Sequence, residues 1–236
     1  MKNKKGWKIV LGILGVIILI IGGIVVYCMT GSSLNNDEKD IVKGDDGTKS
    51  IVVYFSRSNA MNYDSKTDTD THASLNLKNS GIEGNTEIAA KMIQQKTGSD
   101  LYSIQVSKSY RTPFLATSLR AWLEKNLNMK PGLSNMPADL DDYDVIYLGF
   151  PIWWYQEPMA VDAFLENYDF KGKTIVPFCT STSSSIDESV QSIQSLCPEA
   201  KVLKGLRMEQ ANEEKIDQWL ENINIGGISD DFFIIS

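Results

Sequence analysis

Tyr143-Asp-Val-Ile-Tyr-Leu-Gly-Phe-Pro-Ile-Trp-Trp-Tyr-Gln-Glu-Pro158 is the stretch whose reading decides the fold. Residues 145–150 are apolar without polar alternation, the pattern of a strand covered on both faces of a parallel sheet. Pro151 cannot donate to a sheet ladder and predicts the end of that strand. Trp153, Trp154 and Tyr155 follow, before Pro158 opens a helix. Open α/β sheets bind ligands just beyond the carboxyl ends of central strands. Large aromatics there are costly to leave wet, so a core or a flat ligand must cover them.

Outward from this strand the chain repeats strand and helix. Strands are predicted at 51–55, 101–106, 173–179 and 201–206, and helices at 87–97, from Thr112-Pro113 onward, at 158–168, from 185 and at 212–223. Leu115, Leu119, Trp122, Leu123 and Leu127 fall at helical spacing and predict an amphipathic helix. Ser185-Ile-Asp-Glu188 reads as a capping box. Residues 56–84 are long, polar and loop-like, which in a compact domain points to function or disorder. The fold class that follows is α/β, a three-layer sandwich around a five-stranded parallel sheet.

The amino-terminal part reads differently. Residues 9–29 carry no charge and are mostly Ile, Leu, Val and Gly. At about 1.5 Å per residue they extend roughly 31 Å, enough to span a hydrocarbon core. Lys2, Lys4, Lys5 and Lys8 precede the run, and Asp37, Glu38 and Asp40 follow it. That asymmetry predicts a single-pass protein of the cell membrane with its carboxyl-terminal domain outside the cytoplasm. The rivals are a cleaved signal peptide, for which no Ala-x-Ala site is seen, and a lipid anchor on Cys28, which Tyr27 disfavours. The expected organisation is an anchor at 1–30, a flexible linker at 31–49, the folded domain at 50–225 and a tail at 226–236.

The formal net charge of −7, more negative still without the leading lysines, argues against nucleic-acid binding. Three scattered cysteines suit neither a disulfide scaffold nor a zinc site. The one histidine, His72, lies in the polar insert and reads as a surface residue, so no Ser–His or Cys–His arrangement can be built without it. No catalytic residue and no metal ligand is assigned.

Three loops should converge at the carboxyl ends of strands. The first holds Ser56, Arg57 and Ser58, then Gly84-Asn85-Thr86 at a helix start: hydroxyls, an amide and free N–H groups that suit a phosphate, or simply cap a helix. The second holds Pro151, Ile152, Trp153, Trp154 and Tyr155, either a wall for a ring or core packing. The third opens with Thr180 and Ser181 and runs on as serines and a threonine to Ser185, a polar wall or a solvated turn.

Taken together, Tyr54-Phe-Ser-Arg57, Gly84-Asn-Thr-Glu87, Asp144-Val-Ile-Tyr-Leu-Gly-Phe-Pro-Ile-Trp-Trp154 and Asp169-Phe-Lys-Gly-Lys-Thr-Ile-Val-Pro-Phe178 resemble the flavodoxin-like family, in the branch with a long insert in the phosphate loop. The resemblance runs from about Ser50 to Ile223. It implies strand order 2-1-3-4-5 with FMN at the switch point, a rule for which flavodoxin is itself a standard example. It further implies that Ser56, Ser58, Asn85 and Thr86 hold the FMN phosphate with Arg57 beside it. Pro151, Ile152, Trp153 and Trp154 would line the isoalloxazine, Trp154 stacking on it, and Thr180 and Ser181 would border its other end. Two departures stand out: Tyr155 replaces a usual Gly, and Ser183, Ser184 and Ser185 replace a Gly-rich run.

Three functions fit. The first is a membrane-tethered FMN electron carrier, exchanging electrons with a redox partner protein or a small-molecule acceptor. The second is an FMN-dependent NAD(P)H:acceptor (quinone) reductase. The third is a flavin-free module using the aromatic loop for protein contact.

Overall fold

The computed structural model describes residues 4–34, 41–45, 47–62, 75–78 and 81–223. His72 and the tail at 226–236 lie outside these residues. In chain order the elements are α1 (Lys4–Met29), β1 (Ser50–Tyr54), a single 3-10 turn (Ser58–Ala60), β2 (Leu75–Lys78), β3 (Gly81–Gly84), α2 (Asn85–Thr97), β4 (Asp100–Ser103) and β5 (Gln105–Val106). They continue as α3 (Phe114–Asn126), β6 (Leu133–Ser134), β7 (Val145–Pro151), α4 (Met159–Leu165), β8 (Thr174–Thr180), α5 (Asp187–Leu196), β9 (Lys201–Val202), β10 (Leu206–Met208) and α6 (Glu213–Asn222).

The apolar strands lie where two-faced burial puts them. β7 is buried at every residue and sits in the middle of the sheet, between β1 and β8. Across the sheet the order is β4-β1-β7-β8-β10, all parallel, which is the expected 2-1-3-4-5 arrangement once the small ribbons are set aside. One face packs Val52, Tyr147 and Phe178 against Ala89, Ala90 and Ile93 of α2 and Ile216 of α6. The other packs Val53, Leu148, Phe150 and Ile175 against Val161 and Phe164 of α4 and Ile193 of α5.

Several local expectations need correction. The last strand, expected unbroken over 201–206, is split into β9 and β10, which makes the sheet six-stranded. Leu203 donates to the Ile175 carbonyl, so Ile175 and, two residues on, Pro177 face this edge. Pro177 has no N–H to offer, and the break falls beside it. The strand expected over 101–106 also divides. β4 stays in the sheet, while β5 leaves it to pair with β6.

The polar insert is not all loop, because β2 and β3 form an antiparallel pair that delivers the chain to α2. The predicted capping box is absent. The Ser185 hydroxyl accepts from the Asp187 N–H, and the helix begins at Asp187 with Ile186 as its N-cap, one residue later than the box requires. By contrast Asn212 caps α6, its side chain accepting from Lys215 N–H.

α3 has the predicted position but the opposite face inward. Its buried residues are Ala116, Thr117, Arg120, Ala121 and Glu124, while Phe114, Leu115 and Trp122 are exposed. The reason is an ion pair: Arg120 Nε donates to Glu124 at 2.7 Å, Tyr110 donates to the same carboxylate, and the guanidinium lies over the Tyr110 ring and donates to Ser109 O. Burial pushes the Glu124 carboxyl up despite the opposing Arg120 charge.

Trp7–Met29 within α1 is long and apolar enough to cross a membrane, a property a signal sequence near the amino terminus shares. The segment after it was expected to be a free tether, yet its described residues are held against the domain. Val42 exchanges both backbone hydrogen bonds with Leu101 at the edge of β4, and Lys43 and Gly44 N–H both reach the Asp100 carboxylate. These partners outweigh burial and hold the Asp100 carboxyl below its ordinary value.

Candidate functional site

The first loop leaves β1 and turns at once. Ser56 and Ser58 are buried, with their hydroxyls 2.7 Å apart. Their neighbour is Gly84: a Cβ there would lie 1.9 Å from the Ser56 hydroxyl, so any side chain at this position would have to displace the serine. The hairpin of β2 and β3 thus brings the two halves of the loop together across the insert, and α2 starts directly above the serines. Gly84 is the N-cap and supplies no side-chain cap to the first turn of α2. The first-turn N–H groups of α2 thus receive no side-chain cap from Gly84 beside the two serine hydroxyls, an arrangement that suits a phosphate.

Asn85 and Thr86 are buried in this turn, and the Thr86 hydroxyl lies 2.7 Å from that of Thr180 at the end of β8. Arg57, also buried, donates to the carbonyl of Thr112 and so ties the loop to the entry of α3. One participant was not expected. Glu87 accepts from Ser58 at 2.8 Å and from Lys91 at 2.7 Å. It sits third in α2, favourably placed toward the helix dipole, and its signal in the sequence was only its place after Asn85-Thr86.

The aromatic loop divides its side chains as alternate backbone directions require. Trp153 turns inward, edge-to-face against Phe55 and Tyr110 at centroid distances of 5.5 and 5.2 Å. Trp154 turns outward, 42% exposed, its indole N–H donating to Ser118 O of α3. Trp153 and Gln156 are bonded across a two-residue turn in which Trp154 and Tyr155 take φ of +52° and +76°. Both angles are in the left-handed region, the hallmark of a tight primed turn that favours glycine. Pro151 ends β7 as expected, and Ile152 N–H donates to Thr180 O, joining the second loop to the third.

In the third loop Thr180 and Ser181 are buried. Ser181 N–H donates to Met208 O, and the Ser181 hydroxyl accepts from Ser184 N–H. Arg207 of β10 clamps the turn through the carbonyls of Ser181 and Ser184. Nothing in the sequence marked Arg207 for this role, because it lies one residue past the strand expected over 201–206.

A second unexpected group lies just past the aromatic turn. Glu157 and Asp162 are both buried beside each other, and among the described residues no other group donates to either Glu157 oxygen or to Asp162 Oδ1. Burial first, and the Glu157 charge second, push the Asp162 carboxyl up to about 7, against a small opposing pull from Lys130. Cys179 and Cys197 are free and buried, and burial pushes their thiols up to about 12 and about 11, far from reactive thiolates. Among the described residues no group of three or more His, Cys, Asp or Glu could hold a metal ion.

The carboxyl ends of β1, β7 and β8 therefore present buried hydroxyls and an uncapped helix start at one end and an aromatic and hydroxyl-bearing rim at the other. All twelve residues singled out in the sequence lie in these three loops or at the start of α2.

Comparison with known proteins gives the same frame. The flavodoxin family model matches residues 77–223. Flavodoxin 1 of Salmonella typhimurium (strain LT2) and Flavodoxin 1 of Escherichia coli (strain K12) are each 32% identical over 100 residues, 40% of this chain. The chain spans only 42% of the length of these relatives. Among solved structures, a protein of Bacteroides uniformis ATCC 8492 classed with the flavoproteins superposes with a TM-score of 0.59 at 30% identity, covering 74% of this chain and 98% of that one. A flavoprotein from Lactobacillus acidophilus NCFM, solved in complex with FMN, superposes with a TM-score of 0.50 at 19% identity over 73% of this chain and 98% of its own, a likeness of fold. On the family match over most of its length, this chain belongs to the flavodoxin family.

Proposed function

We propose that the domain binds FMN across these three loops and carries electrons beside a membrane in which α1 holds it. The observation that supports this most directly is the pairing of Gly84 with Ser56 and Ser58 beneath the uncapped start of α2. That geometry suits a phosphate dianion. In this reading Ser56, Ser58, Asn85 and Thr86 hold the phosphate, with Arg57 supplying charge beside it. Ser58 turns from Glu87 to the incoming oxygen, and Lys91 remains to neutralise Glu87.

In the same reading the turn of Trp153, Trp154 and Tyr155, the loop from Thr180 and Ser181, and Pro151 and Ile152 would line the isoalloxazine. The bound flavin supplies one- and two-electron chemistry, and the protein supplies orientation and electrostatics. The redox partner is a protein or a small electron acceptor. α1 leaves the domain outside the cytoplasm, following the lysines that precede the span.

The test is direct. Full-length protein purified in detergent, stripped of flavin and titrated with FMN should quench flavin fluorescence with a dissociation constant of about 1 μM or below. Riboflavin, which lacks the phosphate, should bind at least about tenfold more weakly, since a charged hydrogen bond is worth about 1.5–3 kcal/mol. Equal affinities would remove the phosphate cradle from the reading. No binding of either would leave a family member that does not use flavin.

A further inference from the structure

We propose that the outer face of α3 rests on the interfacial layer of the membrane that α1 enters; this stands on the reading of α1 as a membrane span. α3 is inverted relative to a helix at a water surface. Its charged pair, Arg120 and Glu124, points inward, with both side chains 4% exposed or less. Outward it presents Phe114 at 45%, Leu115 at 78% and Trp122 at 42% exposure. The only other charge in the helix sequence is Lys125, so a chain of net charge −7 puts no carboxylate on this helix's outer face. A surface helix in water normally shows the reverse pattern, whereas apolar and aromatic residues rimmed by a base suit the boundary of a bilayer.

What covers this face is indicated by its continuity with α1. The last turn of α1 packs against α3, with Cys28 buried there. Arg111, just ahead of α3, lies over the Tyr27 ring at 4.4 Å and donates to the Tyr27 carbonyl. The connection leaves no slack. Gly31 sits so close to the Ser109 backbone that a Cβ would fall 1.7 Å from its carbonyl oxygen. Ser109 N–H donates to Ser32 O, and Ser33 is bridged to Lys108.

The span Trp7–Met29 has 23 residues. At about 1.5 Å per residue it exceeds a hydrocarbon core of about 30 Å. Its final turn, and the start of α3 beside it, therefore stand at the headgroup level, where Tyr, Trp and Arg side chains concentrate. The face then runs along α3 through Leu115, Ser118 and Trp122 to the Trp154 indole bonded at Ser118. The rim of the candidate site is thereby held at the membrane surface rather than on a free tether.

The experiment uses full-length protein in the Trp7→Phe background, reconstituted into phosphatidylcholine nanodiscs with or without lipid brominated high on the acyl chains. Expected is a loss of tryptophan emission in brominated discs that shrinks when Trp122→Phe is added. If the chain does not co-elute with discs, the anchor reading fails and the proposal falls with it. If it co-elutes and emission is indifferent to bromine, or the quenching is indifferent to Trp122→Phe, the proposal alone is overturned. It is overturned in the same way if the discs carry two copies paired through α3, shown by a cross-link between Leu115→Cys chains in the absence of quenching.

Discussion

The Thr86 hydroxyl lies 2.7 Å from the Thr180 hydroxyl, joining the first turn of α2 to the end of β8 across the mouth of β1 and β7. Both residues are buried, so each hydroxyl depends on the other or on a ligand for its hydrogen bond. Thr86→Ala removes one donor to a phosphate dianion. FMN affinity should fall by about 1.5–3 kcal/mol, roughly ten- to hundredfold. Thr86→Ser keeps the donor and should bind nearly as the parent does. Fluorescence titration decides; an unchanged constant in the alanine variant would reduce Thr86 to a tie between strand and helix.

Trp153 and Trp154 should separate by what each mutation costs. Trp153 packs on Phe55 and Tyr110 but is only partly buried. Trp153→Ala should therefore lower unfolding free energy by about 3 kcal/mol, the low end for a truncated tryptophan. Trp154→Ala should cost under about 1 kcal/mol in stability, as expected of an exposed side chain with one hydrogen bond. If Trp154 is the residue stacked on the ring, its loss should instead raise the fluorescence of bound flavin. Chemical denaturation and flavin emission of the two variants give the answer, and equal stability losses would mean that the inward and outward assignment is wrong.

The parallel sheet was legible because its strands are apolar on both faces, and residues 145–150 alone fix its centre. The loops followed from where those strands end. The face of α3 was not legible. Leu115, Leu119, Trp122, Leu123 and Leu127 have a helix's spacing, but spacing does not say which side is wet, and here the Arg120–Glu124 pair with Tyr110 takes the inside. The hairpin of β2 and β3 was missed inside a polar insert, although Leu75 and Leu77 alternate with Asn76. The broken last strand depends on which way Pro177 faces, a matter of register that no single strand carries. Glu87 and Arg207 act through partners 29 and 26 residues away, contacts visible only once the chain is folded.

Tyr155 occupies a position with φ of +76° and is 64% exposed, so it bears backbone strain without a packing return. Glycine reaches this conformation freely. Tyr155→Gly should leave stability unchanged or raise it by up to about 1 kcal/mol, the relief of strain opposing the added freedom of the unfolded chain. FMN should bind at least as tightly, because the ring edge loses a bulky neighbour. Thermal unfolding and titration check both statements. A loss of more than about 1 kcal/mol would show that the Tyr155 ring, which lies 6.0 Å from the Lys125 ammonium, makes a contact of real value.

The carboxyl of Asp162, pushed up to about 7 by burial and by Glu157, sets a pH dependence whose sign can be worked out. In the unfolded chain this group ionises near its ordinary value of 3.8. Between that value and about 7 the folded protein keeps a proton that the unfolded chain has released. Stability from this group is therefore complete below about pH 4, falls as pH rises toward 7, and is flat above it. The groups that bear on the titration are Glu157 and Glu166, which raise it, and Lys130, which lowers it and pairs with Glu166 at 2.9 Å. Asp162→Asn removes the ionisation and keeps the shape. It should be more stable than the parent at pH 8 by an amount on the order of 2–4 kcal/mol, and close to the parent at pH 4.5. Urea denaturation at the two pH values measures the difference. If Asp162→Asn shifts stability equally at both, the carboxyl does not carry a displaced proton, and its burial beside Glu157 is relieved by a partner not seen among the described residues.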